Sequence, residues 1–133
     1  MPSRRPRPLV AALAGTVLLA GTLTAGAVEN RPYDPKLFRL AEILGAIHYL
    51  RELCGANEGQ GWRAEMETLI EAEGTSAIRR VRLIASFNKG YRSYRRTYVR
   101  CNATAKTVIE RFLSEGTEIA EGLAASSSGT EQQ

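Results

Sequence analysis

Apolar side chains recur at helical spacing in three stretches of the chain, with polar residues between them. The first stretch predicts a helix over 35–54, and the second predicts a shorter helix over 62–73. The third predicts a long helix over 76–122, because its apolar positions alternate in steps of three and four. Ala41 and Gly45 share a face of the first helix, so a neighbouring backbone can approach there. No stretch alternates like a strand, and the predicted fold class is therefore all-α.

Residues at the borders of these stretches favour helix starts. Asp34-Pro35 is typical of a first turn, because the carboxylate can accept an unpaired backbone N–H and proline has no N–H to leave unpaired. Thr75 or Ser76 is expected to cap the third helix in the same way. Glycines follow the first and second helices and supply their stops.

Three helices joined by short loops predict an up-down-up bundle with a long third helix, either continuous or bent near Gly90 or Asn102. In that arrangement Cys54 and Cys101 differ in height by about one helical turn, which the loops can absorb. A disulfide between them is therefore feasible. Residues 102–122 would extend beyond the three-helix body, where they have to fold back or find a partner.

The N-terminal segment predicts export. Three arginines form a positive head, an apolar run covers 9–23, and Ala25-Gly26-Ala27 offers the small residues that a signal peptidase accommodates. We expect cleavage after about Ala27 and a periplasmic location. A retained anchor is the alternative, although the run is short for a membrane span. The export route, general secretory or twin-arginine, stays open. The predicted organisation is a signal peptide (1–27), an extended lead-in (28–34), a helical domain (35–123) and a disordered tail (124–133).

Export changes the meaning of the charge. The whole chain carries 18 basic and 14 acidic residues, a net charge of +4. Three of the basic residues belong to the signal peptide, so 15 basic and 14 acidic residues remain afterwards. This near-neutral balance does not predict nucleic-acid binding.

Export also places the two cysteines in an oxidising compartment. Two cysteines in a small secreted domain usually pair. Closing the 47-residue loop between Cys54 and Cys101 would stabilise the fold by about 4 kcal/mol on the chain-entropy model. Two separate buried thiols are the alternative.

Several short motifs occur along the predicted mature chain, and their combination is specific. They are Arg31-Pro-Tyr-Asp, Leu40-Ala-Glu-Ile-Leu-Gly-Ala-Ile-His-Tyr-Leu-Arg, Leu53-Cys-Gly, Trp62-Arg63, Phe87-Asn-Lys-Gly-Tyr-Arg, and Cys101 with Ala103. Together they resemble an uncharacterised family of small secreted alphaproteobacterial proteins, over residues 31–116. The resemblance implies a periplasmic or surface protein of unknown function. It implies no activity, cofactor or catalytic residue.

The third helix is rich in cations, and no acidic residue occurs between Gly74 and Ile109. Arginine side chains suit phosphate and carboxylate groups, so an anionic envelope ligand or an acidic protein partner is one interpretation. The other is intramolecular pairing with the glutamates of the second helix. The cations are Arg79, Arg80, Arg82, Lys89, Arg92, Arg95, Arg96 and Arg100, with Tyr91, Tyr94 and Tyr98 beside them.

One cluster of polar and aromatic residues is a candidate binding site. Asn88, Tyr91 and Arg92 share a helix face by their spacing. Trp62-Arg63 opens the second helix, whose first N–H groups attract anions. A buried network that only fixes helix register is the alternative. The candidate set is His48, Arg51, Trp62, Arg63, Asn88, Tyr91 and Arg92.

The residue types give little support to catalysis. His48 is the sole histidine, and with both cysteines paired too few ligands remain for a metal site, so no cofactor is expected. We therefore expect a non-enzymatic periplasmic binding or interaction module without a stable membrane span. The alternative is a small hydrolase or lyase that uses paired carboxylates on envelope glycans. The apolar seam over 105–119 also suggests a homodimer, if that part of the helix projects.

Overall fold

The computed structural model describes residues 30–130, which form four helices. They are α1 (Asp34–Leu53), α2 (Gly61–Glu73), α3 (Ala77–Thr97) and α4 (Ala103–Thr130). No strand occurs over the described range, so the all-helical class is confirmed. The three-helix description is wrong, because the predicted third helix is two helices. The predicted signal peptide, the first two residues of the lead-in and residues 131–133 lie outside the described residues.

The long third helix breaks at Tyr98, whose backbone is extended with φ −116° and ψ 112°. α4 restarts after Asn102, whose side-chain oxygen accepts a hydrogen bond from the Ala105 N–H at 2.8 Å. Asn102 is therefore a helix cap, which explains the position of the break. The alternative of a bend near Asn102 had the right location, although the chain reverses there. At the other end of α3, Ser76 accepts a bond from the Arg79 N–H, which confirms the expected cap.

The Cys54–Cys101 disulfide is confirmed, with the two Cα atoms 4.9 Å apart. The predicted mismatch in height disappears because α3 has 21 residues, nearly the same length as the 20 residues of α1. The two helices run parallel, and both end beside the disulfide. The bridge therefore joins the end of α1 to the segment that turns from α3 into α4.

A pair of glycines lets α1 and α3 touch through their backbones. A Cβ atom built on Gly45 would lie 1.9 Å from the carbonyl oxygen of Phe87. One built on Gly90 would lie 1.9 Å from the carbonyl oxygen of Glu42. Gly45 thus forms the close approach expected from the sequence. Gly90 weakens a helix in isolation but is required by this contact.

α4 folds back along α1 and completes the core. Phe112 is almost wholly buried, and Arg39 of α1 donates to the Glu115 carboxylate of α4 at 2.7 and 3.0 Å. The helix continues to Thr130, beyond the predicted end at 122 and into the segment expected to be a disordered tail. The buried residues that α1 and α4 share are Ile43, Ala46, Ile47, Leu50, Ala105, Val108, Ile109 and Phe112.

This packing corrects the basis of the expected homodimer. The seam over 105–119 was expected to be free if the helix projected, but Ala105, Val108 and Phe112 are buried within their own chain. Since α4 folds back, those side chains are not available to a second copy. Over residues 30–130, each helix is too short or too polar to cross a membrane.

A buried ion-pair network fixes the start of α1. Asp34 is the first residue of α1 rather than its cap. Tyr33 occupies the cap position, and its side chain makes no capping hydrogen bond. The Asp34 carboxylate accepts hydrogen bonds from the Arg31 backbone N–H and from Arg79, each at 3.0 Å. Arg79, only 2% exposed, also donates to the Glu73 carbonyl at 2.6 Å. The hydrogen bond from Arg79 lowers the pKa of Asp34, so this carboxylate stays ionised within the fold.

Candidate functional site

The candidate residues predicted from the sequence fall into separate groups. His48 and Tyr91 meet at the α1–α3 interface, with ring centroids 5.7 Å apart, and Phe87 and Tyr49 pack around them. His48 is 7% exposed, and its Nδ1 has no hydrogen-bond partner among residues 30–130. Its Nε2 lies 4.0 Å from a carboxylate oxygen of Glu52. These contacts make His48 a packing residue of the interface.

A second group lies where α1 leads into α2. Arg51 and Trp62 both donate to Glu58, Arg51 through Nε at 3.0 Å and Trp62 through Nε1 at 2.6 Å. The hydrogen bonds from Arg51 and then Trp62 lower the pKa of the Glu58 carboxyl group. A carboxylate of the same chain therefore occupies the donors that an external anion was expected to use. Glu58 was missed because a lone acid in a glycine-rich loop gives no periodic signal.

The remaining candidates belong to neither group. Arg63 and Arg92 are exposed, and Asn88 is half-buried. Within residues 30–130, no side-chain hydrogen bond or ion pair joins any of the three to another residue. The seven candidates thus do not converge on one pocket, because His48 and Tyr91 lie between α1 and α3 while Arg51 and Trp62 meet at Glu58 in the loop between α1 and α2.

Three of the four cations in the first half of α3 have partners within the described chain, and the exposed Arg80 is the exception. Arg79 belongs to the network at the start of α1. Arg82 donates to Asn30 Oδ1 at 3.0 Å, and its guanidinium lies 4.3 Å from the centroid of the Phe38 ring. Lys89 forms an ion pair with Glu42 at 3.1 Å. Intramolecular contacts therefore account for Arg79, Arg82 and Lys89, and the acids involved come mainly from α1 rather than from the exposed side of α2.

The second half of α3 differs. Within residues 30–130, no ion pair with an acid involves its arginines or the one in the following turn, and all of them are exposed. The negative end of the helix dipole favours Arg95 and Arg96, which lie in the last turn. Arg92 and Arg96 nonetheless repel each other at a spacing of four residues. We call Arg92, Arg95, Arg96 and Arg100 the arginine face.

Aliphatic residues precede the arginine face on the same side of α3. Ile78 is 53% exposed, Val81 64% and Ile84 44%. At 3.6 residues per turn, these three positions fall on the side of the helix that carries Arg92 and Arg96. We call Ile78, Val81 and Ile84 the aliphatic patch. Ile84 is among the apolar positions whose spacing of three and four predicted a packed third helix, but its side chain is exposed, so that prediction was wrong for Ile84. The exposed side of α3 is therefore aliphatic at its start and cationic at its end.

Comparison with known proteins gives the family. A family model described as Protein of unknown function (DUF2385) matches residues 32–126. The chain belongs to the DUF2385 family. The resemblance to an uncharacterised family is thereby confirmed, and the match contains both the arginine face and the aliphatic patch. No curated protein and no solved structure matches the chain.

This DUF2385 domain also contains an open groove between α2 and α4, with α1 as its floor and a volume of about 640 Å³. Leu44 and Ile47 contribute to the floor, and Leu69 and Leu113 contribute to the two walls. Trp62 lines it near the start of α2. We call this space the α2–α4 groove. Over the described residues, no group of three or more histidines, cysteines or acids is placed to hold a metal ion.

Proposed function

We propose that this protein is an extracytoplasmic binding module that attaches through the exposed side of α3 to an anionic component of the cell envelope. The observation that supports this proposal is the arginine face, whose four arginines have no acidic partner within the described chain, whereas Arg79 and Lys89 in the first half of α3 are paired with acids. The location follows from the predicted signal peptide. The location and the ligand are both part of the proposal.

The physical reason concerns charge. Arginines spaced three or four residues apart on one helix repel each other, which disfavours the isolated helix by a few tenths of a kcal/mol per pair. A bound polyanion would remove that repulsion. Guanidinium groups bind phosphate and carboxylate oxygens through two parallel hydrogen bonds, so the arginine face is chemically suited to such a ligand.

The aliphatic patch favours a lipid surface among the anionic components of an envelope. A helix that lies on a membrane places aliphatic side chains among the acyl chains and cations among the headgroup phosphates. Val81 and Ile84 supply the first kind of contact, and Arg92 and Arg96 supply the second. Each basic residue near an anionic surface contributes about 1 kcal/mol. We therefore propose anionic phospholipid headgroups as the ligand.

Vesicle flotation tests this proposal. The oxidised protein without its predicted signal peptide should float with phosphatidylglycerol vesicles and not with phosphatidylcholine vesicles. Replacing both Arg92 and Arg96 by Gln should weaken the binding by about tenfold or more. The matched control is Arg63→Gln, which removes an exposed arginine from α2 and should change nothing. Equal binding to both kinds of vesicle, or full binding by the double variant, would refute the proposal.

The alternative function, a hydrolase or lyase acting on envelope glycans, has one observation in its favour. Glu58 and Glu65 both line the α2–α4 groove, and glycan hydrolysis uses two carboxyl groups in a cleft. Glu58 is bound by Arg51 and Trp62 and has a lowered pKa, so it is unsuited to be the proton donor. Glu65 would have to donate the proton. Release of soluble fragments from purified peptidoglycan, abolished by Glu65→Gln, would establish this alternative over a binding role.

A further inference from the structure

We propose that the α2–α4 groove receives an amphipathic helix with basic flanks from a partner protein. The proposal uses a different surface from the arginine face and goes beyond the proposed attachment to an envelope lipid. Within the described helices, α2 and α4 both pack on α1 but not on each other. The bundle thus has a position beside α1 that no helix of the described chain fills.

The dimensions of the groove suit a helix. On α2 the lining residues run from Gly61 to Ala72, which spans about 16 Å, or three helical turns. The lining positions on α2 and α4 recur every three or four residues, so each wall is a stripe along its helix. An amphipathic helix lying lengthwise would bury its apolar face here, as helices do in hydrophobic grooves.

The polar groups of the groove argue against a small polar ligand. The Thr68 hydroxyl donates to the Ala64 carbonyl at 3.2 Å, and the Thr117 hydroxyl donates to the Leu113 carbonyl at 2.8 Å. Both hydroxyls are therefore turned toward their own helices. A site for a small polar molecule needs several polar groups that converge on it, whereas most of this lining is aliphatic or aromatic.

The charges around the groove indicate which charge the partner helix carries. Among the described residues that line the groove, the charged ones are Glu58, which Arg51 already pairs, and Glu65, which has no basic partner within residues 30–130. The sequence of α2 contains four glutamates and one arginine, and that of α4 contains four glutamates and two basic residues. Complementary charge at the edge of an interface selects the partner and speeds its association. A helix with lysine or arginine beside its apolar face is therefore favoured over an acidic helix.

Trp62 provides the readout, since it is the sole tryptophan of the chain and lines the groove. The probes are two synthetic helical peptides without tryptophan that share one leucine pattern and carry either lysine or glutamate at the flanking positions. The lysine peptide should change the Trp62 fluorescence saturably. The glutamate peptide should bind at least about tenfold more weakly, because like charges across an interface are costly.

A substitution in the α2 wall of the groove tests where the lysine peptide binds. Ala72 is exposed and lines the groove, so Ala72→Arg should preserve the fold and weaken the lysine peptide by about tenfold or more. Ala64→Arg is the matched control on the same helix, because Ala64 is exposed and does not line the groove. Binding of the control should equal that of the unmodified chain. Ala72→Arg should also float normally with phosphatidylglycerol vesicles, which separates this proposal from the proposed function.

Three results would overturn the proposal. The peptides could bind equally, which would remove the charge argument. The lysine peptide could bind Ala72→Arg as well as it binds the unmodified chain, which would place its site elsewhere. Sedimentation could also show that the chain associates with itself and that Ala72→Arg abolishes the association. In that case the occupant would be a second copy, presented through its own aliphatic and cationic α3, and not a separate partner.

Discussion

Gly90→Ala tests the backbone contact between α1 and α3 on which the packing of the bundle depends. The new methyl group would lie 1.9 Å from the carbonyl oxygen of Glu42 and 3.0 Å from the amide nitrogen of Ala46. All these atoms belong to backbones or are fixed to them, so no side-chain rotation relieves the clash. The two helices would have to move apart by roughly 1 Å, and the packing along the interface would loosen.

Two opposing effects set the magnitude. Overpacking a well-packed interior costs about 1–3 kcal/mol, and a clash between two backbones belongs at the upper end. Alanine recovers about 1 kcal/mol of helix propensity relative to glycine. We expect a net loss of about 2 kcal/mol in the free energy of unfolding, which lowers Tm by roughly 10 °C in a domain of this size.

Thermal and urea denaturation followed by circular dichroism would measure the loss. Gly122→Ala is the matched control, because Gly122 is exposed in α4 and nothing lies within 4 Å of its Cβ position. That substitution should stabilise the chain by up to about 1 kcal/mol. A Gly45→Ala, Gly90→Ala double variant should lose less than the sum of the single losses, since the helices separate only once. If Gly90→Ala is as stable as Gly122→Ala, the backbone contact between α1 and α3 is refuted.

Two further predictions concern stability. Asp34→Asn removes the carboxylate partner of a buried guanidinium and should destabilise the fold by about 3 kcal/mol at neutral pH. Because Arg79 lowers the folded pKa of Asp34 below its ordinary 3.8, the carboxylate stabilises the fold above that value and loses the effect as pH falls through the lowered pKa. Urea denaturation at several pH values should therefore show that the free energy of unfolding falls less at acid pH for Asp34→Asn than for the unmodified chain. An equal fall in the two proteins would contradict this role. Replacing Cys54 and Cys101 by Ser should lower the free energy of unfolding by about 4 kcal/mol. A loss equal to that seen on reducing the unmodified chain would confirm the bridge as the cause, and no loss would refute it.

The positions of the helices were largely predictable, because periodicity and caps act locally. α1 and α2 begin and end within one residue of their predicted limits. The break between α3 and α4 was harder to place, since the apolar spacing continues through Tyr98, Cys101 and Ala105 without a change of period. The Asn102 cap favours a new helix start at this point, but the packing of α4 against α1 is what makes the chain reverse, and that is a tertiary effect.

The candidate site was less predictable, because the partners of charged residues are set by tertiary structure. The sequence indicated that the cations of α3 could be paired or free, and the structure divides them near the middle of the helix. The sequence also did not indicate that Glu58 would accept hydrogen bonds from Arg51 and Trp62. Ile78 and Val81 are exposed because the helix period places them on the side of α3 that faces away from α1.

The disulfide changes the covalent connectivity of the chain. It closes a ring that contains α2 and α3, while α1 and α4 leave the ring at the same end. A protease that cut the loop between α1 and α2 would open the ring without releasing a fragment, because the two pieces would remain tethered beside each other. The exposed glycine-rich loop can therefore be nicked in a protease-rich compartment while the paired helices stay together.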